Sequence, residues 1–379
     1  MQGPGFPDFA MNNTYGYQAY SEEVYEMAMG NLTAPGTGCE DLIKKCRDVA
    51  KANDPDSLGN DAEANEDCTA ATAVCFGVVQ GAYTEVSDVS TSPYPHASGC
   101  ELTTAQRSFF DISLPNLAVY PPEYRVAFFN QRWVQEHLGS PVNFTVTDPN
   151  IVSAFFEGTG DPMRRDISSL EHVLDSGVSL SLWYGDLDYR CNCEYHHPED
   201  WNAFRGGMCL TGAMIGFGAE AISLQMEYPE APAFRSAGYT PIQTNDTYTG
   251  GLARQHGNVS FSRIFGGGHS AAAYQPETVY RIFDRAMSGK DVGTGDVEVS
   301  EGYSSEGPET VFDVRHELPE PRETVCYLYD APYTCTPNQI QALVDGTAVV
   351  VDFVVVEPAP VVQGEGGEEG EAGEGGSAD

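Results

Sequence analysis

The 379-residue sequence predicts an α/β protein with an incomplete sheet, a helical disulfide-bonded insertion and a disordered acidic tail. Three observations carry that expectation. Two continuous apolar runs, 178–184 and 259–265, read as strands buried on both faces, and each runs into a turn. Pro276 opens a helical pattern with Val279, Ile282, Phe283, Ala286 and Met287 on one stripe, stopped by Gly289. Strand, acidic turn, strand, histidine turn and helix is the closing order of an open α/β sheet. Cysteines spaced Cys39-x6-Cys46 and Cys68-x6-Cys75 lie in a helical stretch.

In chain order, residues 1–17 read as an extended connecting segment rich in Pro and aromatics. Residues 18–118 read as the cysteine-rich helical insertion, with helices at 22–29 and 41–50. The mirrored cysteine spacing suits two antiparallel helices with nested bridges, Cys39–Cys75 and Cys46–Cys68, although spacing alone permits other pairings. An x6 spacing is wrong for a zinc knuckle. Residues 119–295 form the α/β part, which opens on an amphipathic helix over 124–138 ending at Gly139. Residues 296–320 read as a polar, acidic linker. In a small extension, 321–357, Cys326 and Cys335 close a loop before a last strand at 348–356, and the Gly/Glu-rich tail 358–379 reads as disordered.

The formal charge is −37, from 56 acidic and 19 basic residues, and argues against nucleic acid or an anionic membrane surface as partner. It suits work in acid, where protonated carboxylates relieve self-repulsion. Ten cysteines and five sequons, at Asn12, Asn31, Asn143, Asn245 and Asn258, point to the secretory pathway and to glycosylation. No membrane span is expected. The chain opens Met1-Gln-Gly-Pro-Gly without a signal peptide, from which a missing N-terminus is expected.

Two stretches carry chemistry. One is Leu180-Ser-Leu-Trp-Tyr-Gly-Asp-Leu-Asp-Tyr-Arg-Cys-Asn192; the other is Phe261-Ser-Arg-Ile-Phe-Gly-Gly-Gly-His269, followed by Ala273-Tyr-Gln-Pro-Glu277. Each reads as a strand that delivers one polar side chain, Asp188 or His269, from a turn. An acid and a base presented so can orient and activate a nucleophile. A lone His or Asp in a Gly-rich turn is usually structural. Their pairing in acid-then-histidine order after two strands favours catalysis. No G-x-S-x-G elbow occurs in the chain. Tyr124, Trp133, Phe155 and Phe156 are expected in the core.

The motifs Pro7-Asp-Phe-Ala-Met-Asn-Asn-Thr-Tyr-Gly16, Phe129-Asn-Gln-Arg-Trp-Val-Gln-Glu-His-Leu-Gly139, Thr159-Gly-Asp161, Tyr184-Gly-Asp-Leu-Asp188, Phe234-Arg-Ser-Ala-Gly-Tyr-Thr-Pro241 and Gly268-His269 occur in order. With them the chain resembles the serine carboxypeptidases of the α/β-hydrolase fold, of the fungal secreted or vacuolar type, in their C-terminal portion from about Phe6 to Gly295. The resemblance implies Asp188 as triad acid, His269 as catalytic base and Asp186 as structural. It implies that Cys191, Asn192 and Ser270 line the substrate site, although Ser270, Ala271 and Ala272 depart from the family pattern there. It implies release of C-terminal residues from peptides, with no cofactor. The family's Gly-Glu-Ser-Tyr nucleophile and Asn-Gly-Gly-Pro-Gly stretch are absent, so the chain as written is expected to be inactive. A truncated pseudoenzyme that binds peptides and a stand-alone cysteine-rich structural protein are the competing readings. A Gly-Glu-Ser-Tyr segment encoded in frame upstream of Met1 favours the first reading.

The resemblance breaks twice, at 86–106 and at 193–215. Cys193-Glu-Tyr195 can be encoded with the splice-donor string GTGAGT, Leu210-Thr211 with a branch site, and Ile215-Gly216 with an acceptor AG. Excision restores Cys-Asn-Trp-Phe-Gly, the family pattern. Glu85-Val-Ser87, Leu102-Thr103 and Gln106 allow the same for the first segment. Both are hypothesised to be retained introns. Their removal deletes Cys100, Cys193 and Cys209 and leaves three pairs plus Cys191, a buried thiol in the family. Two genuine surface loops are the rival; a mature transcript that keeps both segments refutes the introns. The cluster Cys191, Cys193, His196, His197 and Asp200 has no standard zinc spacing, and no metal is expected.

Overall fold

The structure, a computed structural model, describes residues 6–85, 107–115, 120–191, 218–312, 314–320 and 325–359. Both intron candidates, Asn192 and most of the acidic tail lie outside these residues.

The chain begins with a short helix, Phe6–Met11 (α1), where an extended segment was expected. The reason is Asn13. Its buried side-chain oxygen accepts the N–H groups of Tyr15 and Tyr17, and its amide donates to Phe9 O and Tyr17 O. That knot turns the chain back and buries Phe9 and Ala10.

Glu22–Thr33 (α2), Cys39–Asn53 (α3) and Ala62–Thr72 (α4) build the helical unit. Ser21 and Asp61 cap α2 and α4 by accepting the N–H groups of Val24 and Ala64. Past α4 the helix widens into a π-helical turn over Ala73–Gln80. Bridges Cys39–Cys75 and Cys46–Cys68 nest between α3 and the α4 rod, which therefore run antiparallel. Ile43, Ala64, Ala71, Val79 and Met163 fill the space between them.

Two strands, Arg107–Ser108 (β1) and Asp111–Pro115 (β2), form a small hairpin. The main sheet has four strands: Leu180–Gly185 (β3), Tyr239–Asn245 (β4), Tyr248–His256 (β5) and Val259–Ile264 (β6). Their order is β3-β6-β5-β4, with β3 parallel to β6 and the other pairs antiparallel. Every residue of β6 is buried. β3 is an edge strand among the described residues, so Leu180 to Tyr184 are half-buried and Val178 is exposed, short of the expected burial on both faces. Pro276–Met287 packs Val279 and Ile282 onto β4–β6, while Phe283 and Met287 face solvent.

Further expectations are corrected or refined. The helix over 124–138 is two, Tyr124–Phe129 and Arg132–Leu138, with Gly139 left-handed at the end. Asn130 breaks it: its side chain donates to Val126 O and Phe144 O and accepts from Phe144 N–H. Trp133 is 56% exposed, and Tyr124 and Phe155 are exposed as well, because no described element lies over them; Phe156 is half-buried against Phe76. Residues 296–320, read as a polar linker, are mostly exposed but tied to the sheet. Buried Arg254 and Arg263 need acceptors and find them in Glu309 O, Val311 O and Val314 O. The last strand is a hairpin, Val349–Val351 (β7) and Val354–Glu357 (β8), turned at Asp352 and Phe353, both with positive φ. Cys326–Cys335 closes the loop before it. No described helix is long and apolar enough to cross a membrane.

One buried acid makes stability pH-dependent. Glu220 accepts a hydrogen bond from the Tyr239 hydroxyl, while its other oxygen has no partner among the described residues. Burial holds its pKa above the ordinary 4.5. The fold therefore favours the neutral acid, so this contribution is complete below about 4.5 and is lost as pH rises through the raised value. Glu220→Gln should raise the Tm at pH 7 and change it much less at pH 4. An effect of equal size at both pH values would contradict this.

Candidate active site

β3 and β6 are parallel neighbours, so the turns that follow them emerge side by side. The two turns touch main chain to main chain: Asp186 N–H donates to Ile264 O and Leu187 N–H to Gly267 O. Gly185 must be glycine, since a Cβ there would lie 2.2 Å from Gly267 O. The β1–β2 hairpin pins both turns from one side. Ile112 N–H donates to Leu187 O, Arg190 N–H to Phe109 O, and His269 N–H to Phe110 O.

A second clamp lies beneath. Asp186 and Arg263 are fully buried and form an ion pair at 3.1 Å. The Tyr15 hydroxyl donates to Asp186 Oδ1 (2.7 Å) and accepts from Gly266 N–H (3.0 Å), which ties the acid turn to the histidine turn. Burial first, and then Asp186, push the Tyr15 pKa far up, so this hydroxyl keeps its proton.

These clamps bring Asp188 and His269 together. Asp188 Oδ2 accepts from His269 Nδ1 at 2.9 Å, and Oδ1 accepts Cys191 N–H at 3.1 Å. Asp188 is buried, whereas the His269 side chain is 39% exposed. Burial raises the Asp188 pKa, opposed by the His269 and Cys191 hydrogen bonds. With Nδ1 engaged, Nε2 is the imidazole nitrogen available to exchange a proton with a nucleophile. The Phe110 ring lies 4.8 Å from the imidazole.

Cys191 is outside the three bridges, and its thiol is pushed well up by burial first and by Asp188 second, which keeps it protonated. Its sulfur, an Asp188 oxygen and a His269 nitrogen lie within 4.8 Å of one another, a spacing a soft metal could use. Two of these three groups, Asp188 and His269, already satisfy each other through the Nδ1 hydrogen bond. Ser270 is exposed beside the imidazole. Of the sequon asparagines, Asn12, Asn143 and Asn245 are exposed, and Asn31 and Asn258 half-buried.

The sequence assigns no role to Tyr15, Phe110 or Arg190, because what they do depends on partners far along the chain. The adjacent aromatics Phe109 and Phe110 ahead of a short strand are the one local signal for that hairpin.

A family model for serine carboxypeptidases matches residues 211–289, the stretch that holds His269. Among curated proteins, carboxypeptidase S1 homolog A of Arthroderma benhamiae is 35% identical over 94% of this chain and 49% of its own length. The carboxypeptidase Y homolog of the same fungus is 33% identical over 93% of this chain and 50% of its own. The chain thus spans about half the length of the curated relatives it matches. Among solved structures, a prohormone-processing carboxypeptidase from Saccharomyces cerevisiae aligns over 76% of this chain and 53% of its own, at 12% identity and a TM-score of 0.36. Along nearly its whole length the chain is similar to these fungal carboxypeptidases, and residues 211–289 match the serine carboxypeptidase family.

Proposed function

We propose that this chain supplies the acid and the base of a serine-type carboxypeptidase, Asp188 and His269, and that the serine comes from another part of the whole protein. The observation that carries the reading is the 2.9 Å bond from His269 Nδ1 to the buried Asp188, at the ends of two neighbouring parallel strands. In the whole enzyme His269 Nε2 takes the serine proton as the hydroxyl attacks the peptide carbonyl, then returns it to the leaving amino acid. Asp188 holds the tautomer and stabilises the imidazolium. Water then releases the acyl group by the same route. Cys191 and Ser270 line the substrate side. Peptides are the substrates, and the sequons and bridges suit a secreted or vacuolar setting.

Neither a G-x-S-x-G nor a Gly-Glu-Ser-Tyr motif occurs in the 379 residues, so the chain by itself is inactive in this reading. That same absence favours a second reading, a peptide-binding pseudoenzyme. Release of the last residue from a blocked dipeptide separates them. Residues 1–379 alone should release nothing, whereas the full-length protein should be active and stopped by an organophosphorus serine reagent. Activity from residues 1–379 would refute the first reading; a full-length protein that binds peptides without cleaving them establishes the second.

A further inference from the structure

We propose that Arg190 selects for an acidic side chain on the peptide residue beside the scissile bond. The inference rests on the reading of Asp188 and His269 above. Arg190 lies two residues past Asp188, and its N–H donates to Phe109 O at 2.9 Å, which fixes its backbone at the site. Its guanidinium carbon lies 5.7 Å from the Phe109 ring centroid and 5.4 Å from that of Phe110. The Phe110 ring in turn contacts the imidazole of His269. The cation is therefore one aromatic ring away from the group that would move the proton.

Charge makes this position unusual. Acidic residues outnumber basic ones 56 to 19, yet Arg190 forms no ion pair with any described carboxylate. The other arginines around the two turns are spent: Arg263 on Asp186 and three further acceptors, and Arg107 on the carbonyls of Ile112 and Ser113. Among the described residues none accepts from its guanidinium, which leaves those donors for a visitor. Phe109, Phe110 and Arg190 are each half-buried, so apolar shelf and cation are both reachable from solvent. A glutamate side chain matches that pairing. Its methylenes cover the ring while its carboxylate meets the fork of the guanidinium, in the bidentate geometry Arg favours. A backbone carboxylate has no stem to lay on the shelf.

The test uses the full-length protein and two blocked dipeptide pairs, with Glu or Gln placed on either side of the scissile bond. The wild type should show a kcat/KM ratio of about tenfold or more for Glu over Gln in one pair, the worth of one charge-assisted hydrogen bond. Arg190→Gln should bring that ratio to about one, Arg190→Lys should keep part of it, and Arg190→Glu should favour Lys over Gln at the same place. A ratio that survives Arg190→Gln, or a wild type indifferent to Glu, overturns the assignment. His269→Ala separates the failures. If that variant keeps its activity, the reading of the site falls and Arg190 falls with it. If it is inactive and the Glu preference ignores Arg190, the specificity assignment alone falls.

Discussion

Asp188→Asn in the full-length protein should cost about ten-thousandfold in kcat while leaving the fold intact. The expected loss follows from one proton. Asp188 Oδ2 accepts from His269 Nδ1, so the imidazole's lone pair is at Nε2, where the serine hydroxyl would deliver its hydrogen. An asparagine that rotates its amide toward Nδ1 donates instead of accepting. The ring proton then moves to Nε2, and the base is gone. His269→Ala should fall at least as far. Because Asp188 Oδ1 also accepts Cys191 N–H, an asparagine can keep that bond with its carbonyl, and thermal unfolding should shift little. A drop of tenfold or less, with the fold unchanged, would sink the assignment of these two residues.

Arg263→Met should be the most damaging substitution for stability, at about 3–5 kcal/mol, because it leaves Asp186 charged, buried and without its cation. The methionine fits the arginine's apolar stem but leaves Val311 O, Val314 O and Thr14 Oγ1 without this donor. Replacing Asp186 by Leu as well should recover only part, since the Tyr15 hydroxyl then loses its acceptor and Gly266 N–H one of its two. The loss should also ease in acid. Burial raises the Asp186 pKa, and Arg263 is the first of the groups that oppose it. In Arg263→Met that value climbs further, and stability should be regained as pH falls through it and lost as pH rises. Urea unfolding at pH 4 and pH 7 measures both effects. A loss under about 1 kcal/mol, independent of pH, would show that the pair contributes little.

The parts of this architecture that local signals can describe were legible. Periodicity and a proline mark the helix from Pro276, mirrored spacing suits the nested bridges, and apolar runs into glycines mark β3 and β6 with Asp188 and His269 beyond them. What was missed depends on the third dimension. β5 reads as a poor strand because Gly250 and Gly251 give it no side chains there and Arg254, Gln255 and His256 are polar. Yet Gly250 passes against Thr278, and the polar trio is buried against the segment from 304 to 309. The break at Asn130 depends on Phe144, fourteen residues on. Trp133 and Phe155 carry an apolar signature that says what they prefer, not whether anything covers them.

Gly185 and Gly267 have a consequence for how such a protein can change. Where two loops meet through their backbones, the gap between acid and base is set largely by peptide geometry. The rim residues can then be exchanged to suit a new peptide while the proton path keeps its length. Preference and chemistry become separately adjustable, and Gly185 is the position with no freedom to vary.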